Sequence, residues 1–224
     1  MGVGGKNLHA KIGVIDKCRF ITRLIKKHNL NLYGRIHKMA LFYLVRHGEA
    51  SYDYMLENGF WGFGRDFAPL SEKGKQQAEI TAKDIRLKSA ELIVSSPYTR
   101  ALQTDQIISR ETGIRVEVDI DLHEWIPDEN NQYESSEESF AFAREFTEYG
   151  GEYPPGEKLR WESLSHMRER MLRVADKYSD YDKVIFVGHG MVFRCLTYIE
   201  KMNPAEIIEC TYKKGQAECE YSFT

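Results

Sequence analysis

Two short apolar runs of this 224-residue chain end in a histidine beside glycine. In Leu44-Val45-Arg46-His47-Gly48-Glu49 the run closes on an arginine and a histidine, and in Val184-Ile185-Phe186-Val187-Gly188-His189-Gly190 the histidine stands between glycines. Runs this short, bounded by charge or glycine, read as strands buried on both faces, which puts Arg46, His47 and His189 where strands leave a sheet. That edge is where open α/β sheets bind ligands. Two strand-end histidines therefore suggest one shared pocket. A third stretch, Leu92 to Thr104, reads as another buried strand, a Ser/Pro turn and a helix with Arg100 in its first turn. Pro97 suits the start of that helix, where its missing N–H costs nothing. A helix N-terminus that also carries an arginine is a site for an anion.

Taken together, Arg46-His47-Gly48-Glu49, the block Ser96-Pro97-Tyr98-Thr99-Arg100-Ala101-Leu102-Gln103-Thr104, the triplet Leu122-His123-Glu124 and Gly188-His189-Gly190 resemble the histidine phosphatase superfamily, the phosphoglycerate-mutase-like enzymes. Pro69-Leu70-Ser71-Glu72-Lys73-Gly74 with Gln77-Ala78 is similar to the family's entry into its first helix. The resemblance runs from about Met39 to the C-terminus and keeps the family's motif order.

The resemblance implies a phosphoryl transfer, and the residue types suit one. Charge in that transition state spreads over the equatorial oxygens, so fixed cations are needed around phosphorus. Arg46 and Arg100 meet this need, since a planar guanidinium holds two oxygens at once. His189 completes the ring as a further donor. His47 is the expected nucleophile, attacking with one ring nitrogen while the other donates to a backbone carbonyl. Glu124 is the expected proton donor to the leaving alkoxide and later the acceptor from attacking water. It follows the alternating Val116, Val118, Ile120, Leu122, and its neighbour Trp125 is expected to lower the local polarity. Catalytic His47, Glu124 and His189, with Arg46, Arg100 and His189 binding phosphate, form the expected site.

No metal or other cofactor is implied. The histidines lack a short ligand spacing, and Cys18, Cys195, Cys210 and Cys219 form no Cys-x-x-Cys pair. Cysteines without a secretory signal point to reduced thiols and a cytoplasmic setting. No apolar run approaches the roughly 20 residues that cross a bilayer. Residues 1–38 carry nine Lys or Arg and one acid, Asp16, for a balance of +8, which leaves −11 on the remainder of a chain whose net charge is −3. They read as a basic extension to a domain at 39–224, with Phe20, Leu24 and Ile25 as a candidate stripe on a short amphipathic helix. The favoured reading is a solvated or spurious tail, so no nucleic-acid partner is expected.

Strands alternating with helices make this an α/β chain. The resemblance adds a three-layer sandwich, a mostly parallel sheet with helices on both faces and a small cap insertion. Ser71 is the expected cap of a first helix reaching toward Lys88, and Gly113 stops the second. Asn203-Pro204 opens a short helical piece, and Ala217, Cys219, Tyr221 and Phe223 alternate like a final edge strand.

Two stretches are left for substrate choice. The loop after His47 carries Tyr52, Tyr54, Phe60, Trp61, Phe63 and Phe67, which either line an apolar mouth or pack beneath the loop. Many relatives have asparagine where this chain has Asp53, a carboxylate expected to point away from a phosphate. The insertion from about Trp125 to Glu162 holds ten acids against Arg144, Lys158 and Arg160, with a turn at Pro154-Pro155-Gly156. As a cap its negative field would disfavour highly phosphorylated substrates. The expected activity is hydrolysis of a small-molecule phosphate monoester. The alternatives are a phosphoglycerate mutase, a protein-phosphohistidine phosphatase and a non-catalytic phosphate-binding module.

Overall fold

The apolar runs become strands because both of their faces are covered. In the computed structural model, which describes residues 38–223, they are β1 (Met39–Arg46), β2 (Leu92–Ser95), β3 (Val116–Val118) and β4 (Lys183–Gly188), all mutually parallel. An antiparallel strand, β5 (Ile207–Lys213), pairs with β1, giving the order β3-β2-β4-β1-β5.

Successive residues of β1 enter opposite layers, as the pleat requires. Ala40, Phe42 and Leu44 pack with Met167, Met171 and Val174 of α5 (Leu164–Tyr178). Tyr43 and Val45 pack on the other face with Ala82 at the end of α2 (Glu72–Ala82) and with Ala101 and Ile108 of α3 (Thr99–Thr112). The buried positions of α5, Leu164, Met167, Met171, Val174 and Tyr178, recur at helical spacing, so one stripe turns inward. The result is the expected α/β sandwich with helices on both faces. The short α1 (Asp53–Glu57) follows β1, α6 (Gly190–Phe193) follows β4, and the insertion carries the helix α4 (Ser136–Glu148).

Local signals set several boundaries. The Ser71 hydroxyl accepts from the Gly74 N–H at 3.0 Å and starts α2, and Gly113 ends α3 in a left-handed conformation with φ of 75°. Other expectations are corrected. α2 stops at Ala82, short of Lys88, because the chain must turn to bury Leu87 in a separate 3-10 turn. α3 begins at Thr99, so Pro97 precedes the helix while Arg100 does sit in its first turn. Asn203-Pro204 leads through a turn into β5.

The alternating 217–223 segment is not a strand. The free edge of β1 is taken by Ile207–Lys213, and the aromatic rings of Tyr221 and Phe223 pack on Phe146 at 6.4 and 5.8 Å instead. Alternation there reports ring packing. Residues 1–37, with the candidate stripe Phe20, Leu24 and Ile25, lie outside the described residues, among which no helix is long and apolar enough to cross a membrane.

Register is what brings the strand ends together. Arg46 pairs with Gly188, and Ser95 with Val187, so the C-terminal ends of β1, β4 and β2 fall on one line. The loop leaving β1 is then pressed against α2, where a Cβ on Gly74 would overlap the Glu49 carbonyl and one on Gly48 would overlap the Gly74 carbonyl. Gly74→Ala is therefore expected to destabilise the protein by about 1–3 kcal/mol, as overpacking of a tight contact does, read as a lower urea midpoint. An unchanged midpoint would contradict this account of the contact.

Candidate active site

His47 leaves β1 with its backbone N–H donating to the Gly188 carbonyl at 2.9 Å. Its Nδ1 lies 2.7 Å from the Gly48 carbonyl, which can only accept, so Nδ1 carries the proton and Nε2 is left with a free lone pair. Burial, and then the positive charges of Arg100 and Arg46, hold the imidazole's pKa down at about 3. The ring is neutral at physiological pH.

The His189 ring stands edge-on to it, with centroids 5.1 Å apart. His189 is fully buried, and burial together with Arg100 pushes its pKa well below the ordinary value. Its Nε2 meets the Ser96 hydroxyl at 2.8 Å. Its Nδ1 has no hydrogen-bond partner among the described residues. Arg46 donates from Nη1 to the Met202 carbonyl at 2.5 Å, leaving Nε buried and unpaired. Arg100, 5% exposed, has Nε and Nη1 unpaired, and its guanidinium lies 4.9 Å from the centre of the Tyr98 ring. Three buried guanidinium N–H positions, Nε of Arg46 and Nε and Nη1 of Arg100, are thus unsatisfied, each at a cost of about 1–3 kcal/mol in the absence of an acceptor. An oxyanion bound among them would remove that cost.

Glu124 lines the adjoining cavity, about 180 Å³ in volume, together with Arg100, Tyr98 and Trp125. Its carboxylate accepts from the backbone N–H groups of Trp125, Val192 and Met191 at 2.9, 3.2 and 3.3 Å. The side chain is thereby fixed at the start of α6. Trp125 lines the same cavity. Its indole is buried against Phe146 and donates to the Glu162 carbonyl, so its polar contact with Glu124 is through the backbone.

Residues 42–216 match the sequence pattern of the histidine phosphatase superfamily (branch 1). The chain belongs to that superfamily. Among curated relatives it is 29% identical over 164 residues to "Probable phosphoglycerate mutase GpmB" of Cronobacter sakazakii, covering 70% of this chain and 73% of that one. The protein of the same name from Yersinia pestis is 30% identical over 166 residues with the same coverage. In fold the chain resembles a phosphoglycerate mutase from Bacillus anthracis, with a TM-score of 0.60, 18% identity and coverage of 84% and 95%. A mycobacterial glucosyl-3-phosphoglycerate phosphatase is also similar, with a TM-score of 0.53, 22% identity and coverage of 70% and 76%.

In this histidine phosphatase chain, Arg46, His47, Arg100, Glu124 and His189 all reach one end of the sheet or the cavity beside it. Asp53 faces solvent and accepts from the Ser51 hydroxyl at 3.3 Å. Of the loop aromatics, Tyr52 and Phe63 line the cavity, while Tyr54 and Phe60 pair with each other at the surface. Two of the insertion's acids are buried in ion pairs, Asp128 with Arg160 at 2.5 Å and Glu162 with Arg170 at 2.6 Å, and the second pair brings in a cation from outside the insertion.

Several residues hold the site through contacts that the sequence does not reveal, three of them within the quoted motifs. Thr104, Gln77 and Gln103 side chains accept from the N–H groups of Gly48, Glu49 and Leu70 at 3.1, 2.9 and 2.7 Å. The Arg170 guanidinium, fully inside the core, donates to the carbonyls of Asp121, His123 and Glu124 and to both oxygens of Glu162. Asp66 brings a second carboxylate into the cavity, 3.7 Å from Arg100. Its signal in the sequence is slight, an Arg65-Asp66 pair among the aromatics.

Two outcomes are expected. Glu162→Ala leaves the Arg170 charge buried without its partner and is expected to cost about 3–5 kcal/mol in a denaturant titration. For His47, the folded protein resists a proton that the unfolded chain accepts at the ordinary 6.5, so this residue's contribution to stability is full above 6.5 and is lost as pH falls toward 3. Imidazole ¹⁵N NMR is expected to find His47 neutral and protonated on Nδ1 from pH 8 to 5, and a midpoint inside that range would contradict the account.

Proposed function

We propose that the chain is a phosphomonoesterase that works through a phosphohistidine at His47. One observation carries the reading. The free Nε2 of a neutral imidazole lies among buried N–H donors that have no acceptor, the arrangement a phosphoryl group would satisfy.

In the proposed reaction the phosphate of the ester accepts from Arg46, Arg100 and the Nδ1–H of His189. Ser96 supports that tautomer, since its hydroxyl donates to Nε2 and leaves Nδ1 to carry the proton. Nε2 of His47 forms a bond to phosphorus as the bond to the ester oxygen breaks, and Glu124 gives that oxygen its proton. The alcohol then leaves. Glu124, now a carboxylate, takes a proton from water as its oxygen attacks the phosphohistidine, releasing inorganic phosphate and restoring the imidazole. His47, Glu124 and His189 are the proposed catalytic residues, and Arg46, Arg100 and His189 the proposed phosphate ligands. We read residues 39–224 as the catalytic domain and about 125–162 as a cap over its site. Ile126, Pro127, Asn131, Tyr133 and Ser139 of that segment line the cavity, which supports the cap.

The names of the curated relatives favour a second reading, a phosphoglycerate mutase. Both would proceed through phosphohistidine, and they differ in whether the phosphoryl group goes to water or to a second hydroxyl.

The decisive experiment compares wild type with His47→Ala on a panel of phosphate esters with chelator present, assaying phosphate release and monophosphoglycerate isomerisation. Wild type is expected to release phosphate and to form an acid-labile, base-stable labelled adduct, and His47→Ala to lose activity by about a hundredfold or more. Equal hydrolysis by the two proteins, or loss of activity with chelator, would overturn the mechanism. Isomerisation exceeding phosphate release would favour the mutase.

A further inference from the structure

The proposed hydrolysis uses Arg100 and Glu124 of the cavity lining and leaves the rest of that lining unexplained. The remaining walls include Tyr52, Phe63 and Tyr133, with Arg65 and Asp66 as charged groups. Both charged side chains come from one 3-10 segment, Gly62–Phe67. Arg65 is engaged, its guanidinium 4.9 Å from the centre of the Tyr52 ring.

Asp66 is turned inward. One oxygen lies 3.7 Å from Nη1 of Arg100, and Tyr98 lines the same cavity. Burial raises its pKa to about 6, which leaves it mainly ionised above neutrality. Glu124 lines the same cavity. Arg65 and Arg100 are the cations among its lining residues.

The charges then decide what the ester can carry. Once Arg100 binds the transferring phosphate, the rest of the substrate meets the Asp66 carboxylate and the protonated Glu124, and the remaining cation, Arg65, stands over an aromatic face. A second carboxylate or phosphate on the substrate would be desolvated beside like charge. An uncharged ring would stack on the aromatic walls without that cost.

We propose that Asp66 is a specificity residue that rejects a second anionic group, so that the substrates are phosphate monoesters of uncharged, ring-shaped alcohols. This rests on the phosphomonoesterase reading and narrows it. It also distinguishes the chain from a mutase, whose phosphoglycerate substrates carry a carboxylate.

The test uses a matched pair, glycerol 3-phosphate and 3-phosphoglycerate, which differ in tail charge at nearly constant size. kcat/KM is measured for wild type, Asp66→Asn and Asp66→Ser, with thermal melts to confirm folding, and either folded variant suffices. Wild type is expected to favour the uncharged tail by about tenfold or more, and either variant to shrink that preference by about tenfold. Phenyl phosphate and glucose 6-phosphate are expected to exceed glycerol 3-phosphate, and the faster of the two tells an aromatic alcohol from a sugar.

Turnover of 3-phosphoglycerate as fast as glycerol 3-phosphate, or a ratio that neither variant changes, overturns the role of Asp66 even if the phosphoenzyme forms normally. Ring esters slower than glycerol 3-phosphate overturn the ring-shaped substrate. If wild type turns over no ester and forms no phosphoenzyme, this inference falls together with the function it rests on.

Discussion

Buried nitrogens without a hydrogen-bond partner are the constraint on which this protein is built. Nε of Arg46, Nε and Nη1 of Arg100 and Nδ1 of His189 meet no hydrogen-bond partner among the described residues, beside the His47 imidazole that burial, and then the charges of Arg100 and Arg46, keep neutral. Collapse of these side chains onto nearby carbonyls would relieve the cost. The fold already engages other atoms of the same groups, with Arg46 Nη1 donating to the Met202 carbonyl and His189 Nε2 held by the Ser96 hydroxyl. What is left open is set by what is already satisfied.

Rigidity around that opening comes from side chains whose holding contacts the motifs do not reveal. The loop carrying His47 is held by side-chain amides and a hydroxyl from α2 and α3, and by two glycines that let its backbone touch α2. The segment carrying Glu124 is held from below by Arg170, whose charge Glu162 compensates in the core. A buried pair of this kind contributes little net stability, but it orients three carbonyls that would otherwise choose among several partners. Stability is given up for position in both places.

How much of this was readable in advance depended on the range of the interaction. The strands, the Ser71 cap and the Gly113 stop come from patterns a few residues long, and local physics produces them wherever they occur. The 217–223 segment misleads for the same reason, since alternating aromatics satisfy a strand pattern while their rings are used to cover Phe146. The end of α2 is likewise decided by the need to bury Leu87, which lies beyond any helical signal in the segment itself. Asp66 and Asp53 show the limit most clearly. Both are acids in the same aromatic loop, and the chain path alone turns one into the cavity and the other to solvent.

The sequence by itself determined the α/β class, the order of the elements and the identity of the five polar side chains, because strand ends, helix starts and their motifs are local. The tertiary structure alone decided that these side chains meet, through the parallel register that aligns the ends of β1, β2 and β4. It also decided which nitrogen of each histidine stays free and which carboxylates share the cavity. Those outcomes depend on hydrogen-bond partners and burial contributed by residues far away in the chain, and such pairings come into existence only once the sheet and its helices have packed.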